Sequence, residues 1–116
     1  GIFKDLKNLR VLYIMETKLT EVSAEVLKPL RSLKNLSLRA NQIKTITALE
    51  LSDLENLREL HLSENQLTSL PEDLLQKSSQ LHTLRLDKNK LQDIKSGLFS
   101  NLPNLSVLSM AYNEIK

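Results

Sequence analysis

The chain has 116 residues, of which 27 are leucine and 9 are asparagine, and its 16 basic and 14 acidic side chains leave a formal net charge of +2. This charge is too small and too evenly spread along the sequence for the basic stripe of a nucleic-acid-binding protein, so we expect no nucleic-acid partner. No apolar run approaches the ~20 residues of a membrane-spanning helix, and the first residues lack the layout of a secretion signal, so we expect no direct membrane contact. The absence of cysteine excludes disulfides, thiolate zinc sites and thiol catalysis.

A fixed period organises the whole sequence. Five segments align without a gap, each starting 24 residues after the last, and they read LRVLYIMETKL, LKNLSLRANQI, LRELHLSENQL, LHTLRLDKNKL and LSVLSMAYNEI. Their shared pattern, LxxLxLxxNxL, is the leucine-rich repeat signature, and self-similarity at one period predicts a solenoid.

In chain order, the predicted units are a partial repeat at 1–8, repeats that start at residues 9, 33, 57 and 81, and a partial repeat at 105–116. Residues 1–116 are therefore predicted to form one solenoid domain. Neither end carries a capping module, so we expect a piece of a longer solenoid. Its outer strands, around Leu12 and Leu108, would be unpaired sheet edges that promote self-association.

Within each segment, apolar and polar residues alternate, as in Glu59 to Ser63, which predicts a short strand with its leucines on one face. Stacked strands would bury these leucines together. The predicted fold is therefore an α/β solenoid: a right-handed coil with a parallel β-sheet on its concave face. Gly97 and three prolines punctuate the return segments, which favours irregular or short helical structure there. Further apolar columns continue the repeat through these segments at Val22, Ile46, Leu70 and Ile94; at Leu27, Leu51, Leu75 and Phe99; and at Leu6, Leu30, Leu54 and Leu102, where Ser78 breaks the last column.

An asparagine column marks the end of each strand. Backbone amides and carbonyls are buried there without sheet partners, and an unpaired group costs about 1 to 3 kcal/mol. An asparagine side chain supplies both a donor and an acceptor. We therefore expect four asparagines to face inward as a ladder, with a threonine in the first repeat and hence a softer first coil: Asn41, Asn65, Asn89, Asn113 and Thr17.

The outward strand positions define the candidate ligand-contact surface. Aromatic and arginine side chains are common binding anchors, and an apolar group that includes Val11 precedes a centre of mixed charge. The predicted contact residues are Tyr13, Met15, Arg39, His61, Arg85 and Asp87. The alternative is structural: cross-strand pairs such as Arg85 with Glu59 would stabilise the sheet, and the apolar group would pack on another coil.

Chemistry other than binding finds little support in the sequence. His61, Ser63 and Asp87 could be neighbours on adjacent strands, but no strained nucleophile turn or oxyanion donor accompanies them. We therefore expect no enzyme activity, no metal site and no cofactor. Two sequons, at Asn35 and Asn104, are possible glycosylation sites in a secreted protein.

The phrases GLFSNLPNL, SLPEDLL and FKDLKNL, with the 24-residue period, resemble the typical class of animal extracellular leucine-rich repeat proteins, which includes Toll-like receptor ectodomains. The resemblance covers the whole chain, although phenylalanine, usual in the spine of this class, occurs only at Phe3 and Phe99. It implies an extracellular, receptor-like module of Toll type in innate-immune or developmental signalling, with a protein ligand or co-receptor. A matrix or adhesion protein and a cytoplasmic scaffold are the alternatives, the latter favoured by the absence of cysteine.

Overall fold

The computed structural model describes residues 8–114, so that the predicted positions of Phe3, Leu6 and Ile115 lie outside the described part. Five parallel strands form one sheet in chain order, and each pairs with the next. The register follows the repeat, since Leu12 lies opposite Leu36 and Leu36 opposite Leu60. The predicted leucine-rich repeat solenoid is confirmed. Its strands are β1 (Val11–Tyr13), β2 (Asn35–Ser37), β3 (Glu59–His61), β4 (Thr83–Arg85) and β5 (Val107–Ser109).

Short helical turns occupy three return segments. They are α1 (Ala24–Leu27), α2 (Ala48–Leu51), which packs against α1, and a 3-10 helix at Ser96–Phe99. The segment after β3 contains turns instead of a helix. The apolar column of Leu27, Leu51 and Leu75 was predicted to continue at Phe99. In the 3-10 helix Leu98 is instead buried in the core, and Phe99 is half-buried against it. Among the described residues, no helix is long and apolar enough to cross a membrane.

The leucine columns build one continuous core beneath the sheet. Leu36, Leu60 and Leu84 are at most 1% exposed, and each stands above its counterpart in the next coil. Burying one leucine side chain stabilises a fold by roughly 1.5 to 3 kcal/mol. The stacked leucines therefore hold the outward side chains of the sheet on a rigid support.

Ser78 interrupts this core. It is completely buried, and its hydroxyl has no hydrogen-bond partner in the described part of the chain. Burying a hydroxyl without a partner costs on the order of 1 to 3 kcal/mol. The serine in the leucine column thus creates a local weakness in the third return segment.

A left-handed residue follows each strand at the same place in every repeat. Glu16, Ala40, Glu64, Lys88 and Tyr112 have φ between 58° and 61°. This conformation costs a non-glycine residue roughly 1 kcal/mol, and it turns the chain inward just before the asparagine column. One consequence concerns binding: the turn brings the side chain of Glu64 to Arg39, which lies in the preceding repeat.

Candidate functional site

The asparagine column is the frame of the site. Asn65 is 6% exposed, and its Nδ2 donates to the carbonyl oxygens of Leu38 at 2.9 Å and Leu62 at 3.1 Å. Its Oδ1 accepts from the amide of Ile43 at 3.0 Å. One side chain therefore bonds the backbone of two successive coils. Asn89 repeats the pattern from Leu62 to Leu86 and accepts from the amide of Leu67.

The two ends of the column, Thr17 and Asn113, are less buried than the asparagines between them. Asn41 Oδ1 accepts from the Thr17 amide at 3.0 Å and from the Thr17 hydroxyl at 2.7 Å. Thr17 itself is exposed, and it serves as a donor to Asn41. At the other end, Asn113 is half-buried, and it donates to Leu86 and Met110 while accepting from the Leu91 amide.

The outward face of the sheet, called here the concave face, consists of the third, fifth and seventh residues of each repeat. The fifth residues lie directly opposite one another from strand to strand. Three small residues of this face, Ser37, Ser63 and Thr83, are nevertheless buried. The exposed surface is therefore carried by the larger residues.

An apolar group occupies the β1 end of the concave face. Val11, Tyr13 and Met15 alternate along one strand direction and are 46%, 58% and 42% exposed. Alternation places all three on the same face. They form a continuous apolar surface beside the polar centre.

The charged centre differs from the predicted pairing. Arg85 lies opposite His61 in the register, and Glu59 lies opposite Thr83, so the expected pair of Arg85 with Glu59 does not form. Glu59 instead approaches His61 on its own strand, with Oε1 3.2 Å from Nε2. Arg39 Nε donates to Glu64 Oε2 at 2.5 Å. Arg85 stays exposed and forms no ion pair within residues 8–114.

Asp87 is a fixed negative group in this centre. Its Oδ1 accepts hydrogen bonds from Ser109 at 2.6 Å and Ser63 at 2.7 Å, so that it joins three neighbouring coils. Burial raises the pKa of Asp87, but the bonds from Ser109 and Ser63, its own backbone amide and the charge of Arg85 together outweigh burial. The net pKa is lowered, so the carboxylate is ionised at neutral pH.

The same contacts describe what His61, Ser63 and Asp87 do. The Ser63 hydroxyl donates a hydrogen bond to Asp87, while His61 contacts Glu59. A nucleophilic serine requires a hydrogen bond to a base such as histidine, and these three side chains do not provide one. In residues 8–114, no group of three or more metal-ligating side chains comes together.

The two sequons differ in accessibility. Asn35 is half-buried in β2, and Ser37 of its sequon is buried. Asn104 is exposed before β5, and its carbonyl accepts from the Ser106 hydroxyl. Asn104 is therefore the better placed acceptor, and glycosylation at both positions stays a prediction.

A basic row, which the sequence reasoning missed, runs along the edge where the strands begin. The second residues of four successive repeats are Arg10, Lys34, Arg58 and His82, and all four are exposed. The backbone carbonyl of each of these residues accepts a hydrogen bond from the amide of the second residue of the following repeat. The Lys34 carbonyl, for example, accepts from the Arg58 amide at 2.8 Å. The expectation of evenly spread charge is therefore wrong at this edge. Reading the second position of the aligned segments would have revealed it.

Known proteins share both the repeat and the fold. A leucine rich repeat family model matches residues 1–43, 31–86 and 79–116. The TLR13 chain in a crystal structure of the TLR13–ssRNA13 complex is 32% identical, with a TM-score of 0.91 over 96% of this chain and 16% of that chain. A leucine-rich repeat protein of Leptospira interrogans is 39% identical, with a TM-score of 0.85 over 95% of this chain and 27% of that one.

A third structure, the leucine-rich repeat domain of APL1B, is 20% identical, with a TM-score of 0.88 over 97% of this chain and 33% of that chain. At this identity it supports the fold alone. No curated protein matches the sequence. The chain spans between 16% and 33% of the length of these three structures. Since the family model matches along the whole sequence, the chain belongs to the leucine-rich repeat family.

Proposed function

We propose that this chain is a non-catalytic protein-binding module of an extracellular, receptor-like protein, and that it binds a protein ligand or co-receptor through the concave face. The observation that carries the proposal is the combination of exposed anchors with a packed base: Tyr13 and Arg85 stand on strands whose leucines pack against the core, and Met15 lies two residues after the end of β1. A preorganised surface loses little entropy on binding. Leucine-rich repeat domains bind proteins generally, which is consistent with this use.

The Toll-type assignment, with a role in innate-immune or developmental signalling, is the finer part of the proposal. The TLR13 match supports it. The bacterial match shows that the same geometry also occurs outside animal receptors. A matrix or adhesion protein and a cytoplasmic scaffold are the competing assignments. Expression through a secretory pathway followed by mass measurement distinguishes them: secretion with a glycan at Asn104 supports the extracellular assignment, and poor secretion without a glycan contradicts it.

The contact surface is tested by charge reversal. Arg39→Glu with Arg85→Glu should abolish capture of a protein partner from the conditioned medium of cells, because both side chains are exposed on the concave face. Exposed ion pairs contribute little to stability, so the variant should unfold at nearly the native denaturant concentration. Lys44→Glu with Lys90→Glu is the matched control, since it lowers the net charge equally away from the concave face. Equal capture by the concave-face variant and the native chain would contradict the proposed surface.

RNA is a second candidate ligand, and one observation favours it: the TLR13 structure is a complex with ssRNA13. The low net charge argued against nucleic acid, but the basic row weakens that argument. Binding of a single-stranded RNA oligonucleotide to the native chain, measured as a function of salt, tests it directly.

A further inference from the structure

The strand-start edge carries a surface that the concave-face proposal does not use. Arg10, Lys34, Arg58 and His82 follow one another along this edge, one in each coil. Parallel strands lie about 4.8 Å apart, so the four residues form a row about 14 Å long, measured over three strand spacings. A regular row of this kind matches an extended polymer better than a compact ligand.

Within the part of the chain that the structure describes, no carboxylate forms an ion pair with the cations of the row, Arg10, Lys34 and Arg58. One carboxylate, that of Glu59, lines the same groove, but its Oε1 lies 3.2 Å from His61. Cations that have no internal partner and share a groove attract anions from solution.

The remaining wall of the groove is mostly polar, and Pro103 and Leu105 are its apolar members. Lys34, Arg58 and His82 line it together with the side chains of Gln80, Asn104 and Ser106. Amides and hydroxyls donate and accept hydrogen bonds, which suits the hydroxyl groups of a sugar. The groove therefore offers both charge for anionic groups and hydrogen bonds for a polyhydroxyl backbone.

Among the described residues, in contrast, no phenylalanine, tyrosine or tryptophan lines the groove as a platform for base stacking. The residues of these types in the described part are Tyr13, Phe99 and Tyr112. Single-stranded nucleic acids are commonly bound by aromatic side chains on which the bases stack. Charge and hydrogen bonding without stacking favour a polysaccharide over a nucleic acid.

We infer that the strand-start row of Arg10, Lys34, Arg58 and His82 binds a sulfated polysaccharide, whose sulfates contact the row and whose hydroxyls contact the adjoining polar side chains. The cations of this site lie outside the concave face, which the groove adjoins at Asn35 and Glu59, and the site is independent of the identity of the protein ligand. It gives the module a second surface, through which an anionic glycan holds it while the concave face stays open.

The test is a binding titration with a size-defined heparin oligosaccharide, using protein produced without glycosylation because Asn104 lines the same groove. The native chain should bind at low salt and weaken steeply as salt rises, because charge contacts release counterions. Lys34→Glu with Arg58→Glu should weaken binding by at least about tenfold. The control Lys44→Glu with Lys90→Glu lowers the net charge equally but lies on another groove, so it should change affinity by less than about threefold.

Two further arms make the result decisive. An unsulfated polysaccharide of the same length should not bind, and a single-stranded RNA oligonucleotide should bind more weakly than heparin. Equal losses in both charge-reversed variants would show attraction to net charge alone and overturn the proposal. Tighter binding of RNA through Lys34 and Arg58 would also overturn it and assign the row to nucleic acid. Unfolding midpoints of both variants close to the native value confirm that the fold is retained.

Discussion

The turn after β3 and the return segment that follows it each bury a polar side chain, but they differ in the hydrogen-bond partners that they offer it. In the turn, Asn65 is buried and bonds the backbone of its own coil and of the coil before it. In the return segment, Ser78 is buried even more completely, but its hydroxyl has no hydrogen-bond partner within residues 8–114. A buried polar group therefore stabilises this solenoid where strand ends leave backbone groups that need partners, and it weakens the solenoid where no partner is within reach.

The role of Asn65 is tested by comparing Asn65→Ala with Gln66→Ala. Asn65→Ala leaves the carbonyl of Leu38 and the amide of Ile43 without their side-chain partner. The free energy of unfolding should therefore fall by on the order of 3 kcal/mol, and by at least about 1 kcal/mol. Gln66 is adjacent but only half-buried, and its replacement should change stability by less than about 0.5 kcal/mol. Urea unfolding midpoints measure both. Equal midpoints would refute the inward role of Asn65.

The second prediction compares Ser78→Ala with Ser79→Ala. Removing the unpaired hydroxyl should raise the free energy of unfolding by about 1 kcal/mol, because a desolvated donor and acceptor disappear from the core. Ser79 is exposed, so its substitution should leave the midpoint nearly unchanged. A lower midpoint for Ser78→Ala than for the native chain would show that the hydroxyl is satisfied in solution, and the contrast with Asn65 would be lost.

The third prediction concerns Asp87, a half-buried carboxylate with hydrogen-bond partners on the concave face. Its lowered pKa means that its stabilising contribution is present above the ordinary aspartate value of about 3.9 and is lost as the pH falls through the lower folded-state value. Asp87→Asn should therefore weaken the dependence of stability on pH in this acidic range. Thermal unfolding from pH 6 to pH 2 measures it, and identical pH profiles for both proteins would contradict the role of the two serines.

The two outward surfaces extend the comparison to binding. On the concave face, Asp87 and Arg39 are bonded to other side chains of the same chain, and Arg85 stays exposed beside them. On the strand-start row, Arg10, Lys34 and Arg58 form no ion pair within residues 8–114. A surface with mixed, partly paired charges suits a protein partner, whereas a row of one sign suits a polyanion.

Much of the fold could be predicted because leucine spacing determines side-chain direction. A one-residue shift would turn every leucine to solvent, so the register of Leu36, Leu60 and Leu84 followed from the sequence. The lack of a partner for Ser78 could not be predicted, since it depends on which backbone groups surround the return segment. The position of Phe99 also depended on local structure, because a 3-10 helix turned Leu98 inward in its place.

The candidate site could be predicted less well. Outward positions were identified by alternation, but pairing between them depends on side-chain reach and on the turn after each strand. Glu64 reaches Arg39 because its backbone is left-handed, which the sequence did not indicate without a glycine. Glu59 met His61 on its own strand, although a cross-strand pair with Arg85 was expected. The contact residues, self-association at the edges and the division into repeats 9, 33, 57 and 81 stay predictions.

The central claim is that the repeat divides its side chains into an inward set that holds the solenoid and an outward set that is free to bind. Hydrogen exchange of side-chain amides, followed by NMR, tests it most directly at the neighbours Asn65 and Gln66. We predict that the Nδ2 protons of Asn65 exchange at least about a hundredfold more slowly than the side-chain amide protons of Gln66, because they are buried and bonded to two coils. Equally fast exchange at both residues would contradict the inward assignment and the surfaces derived from it.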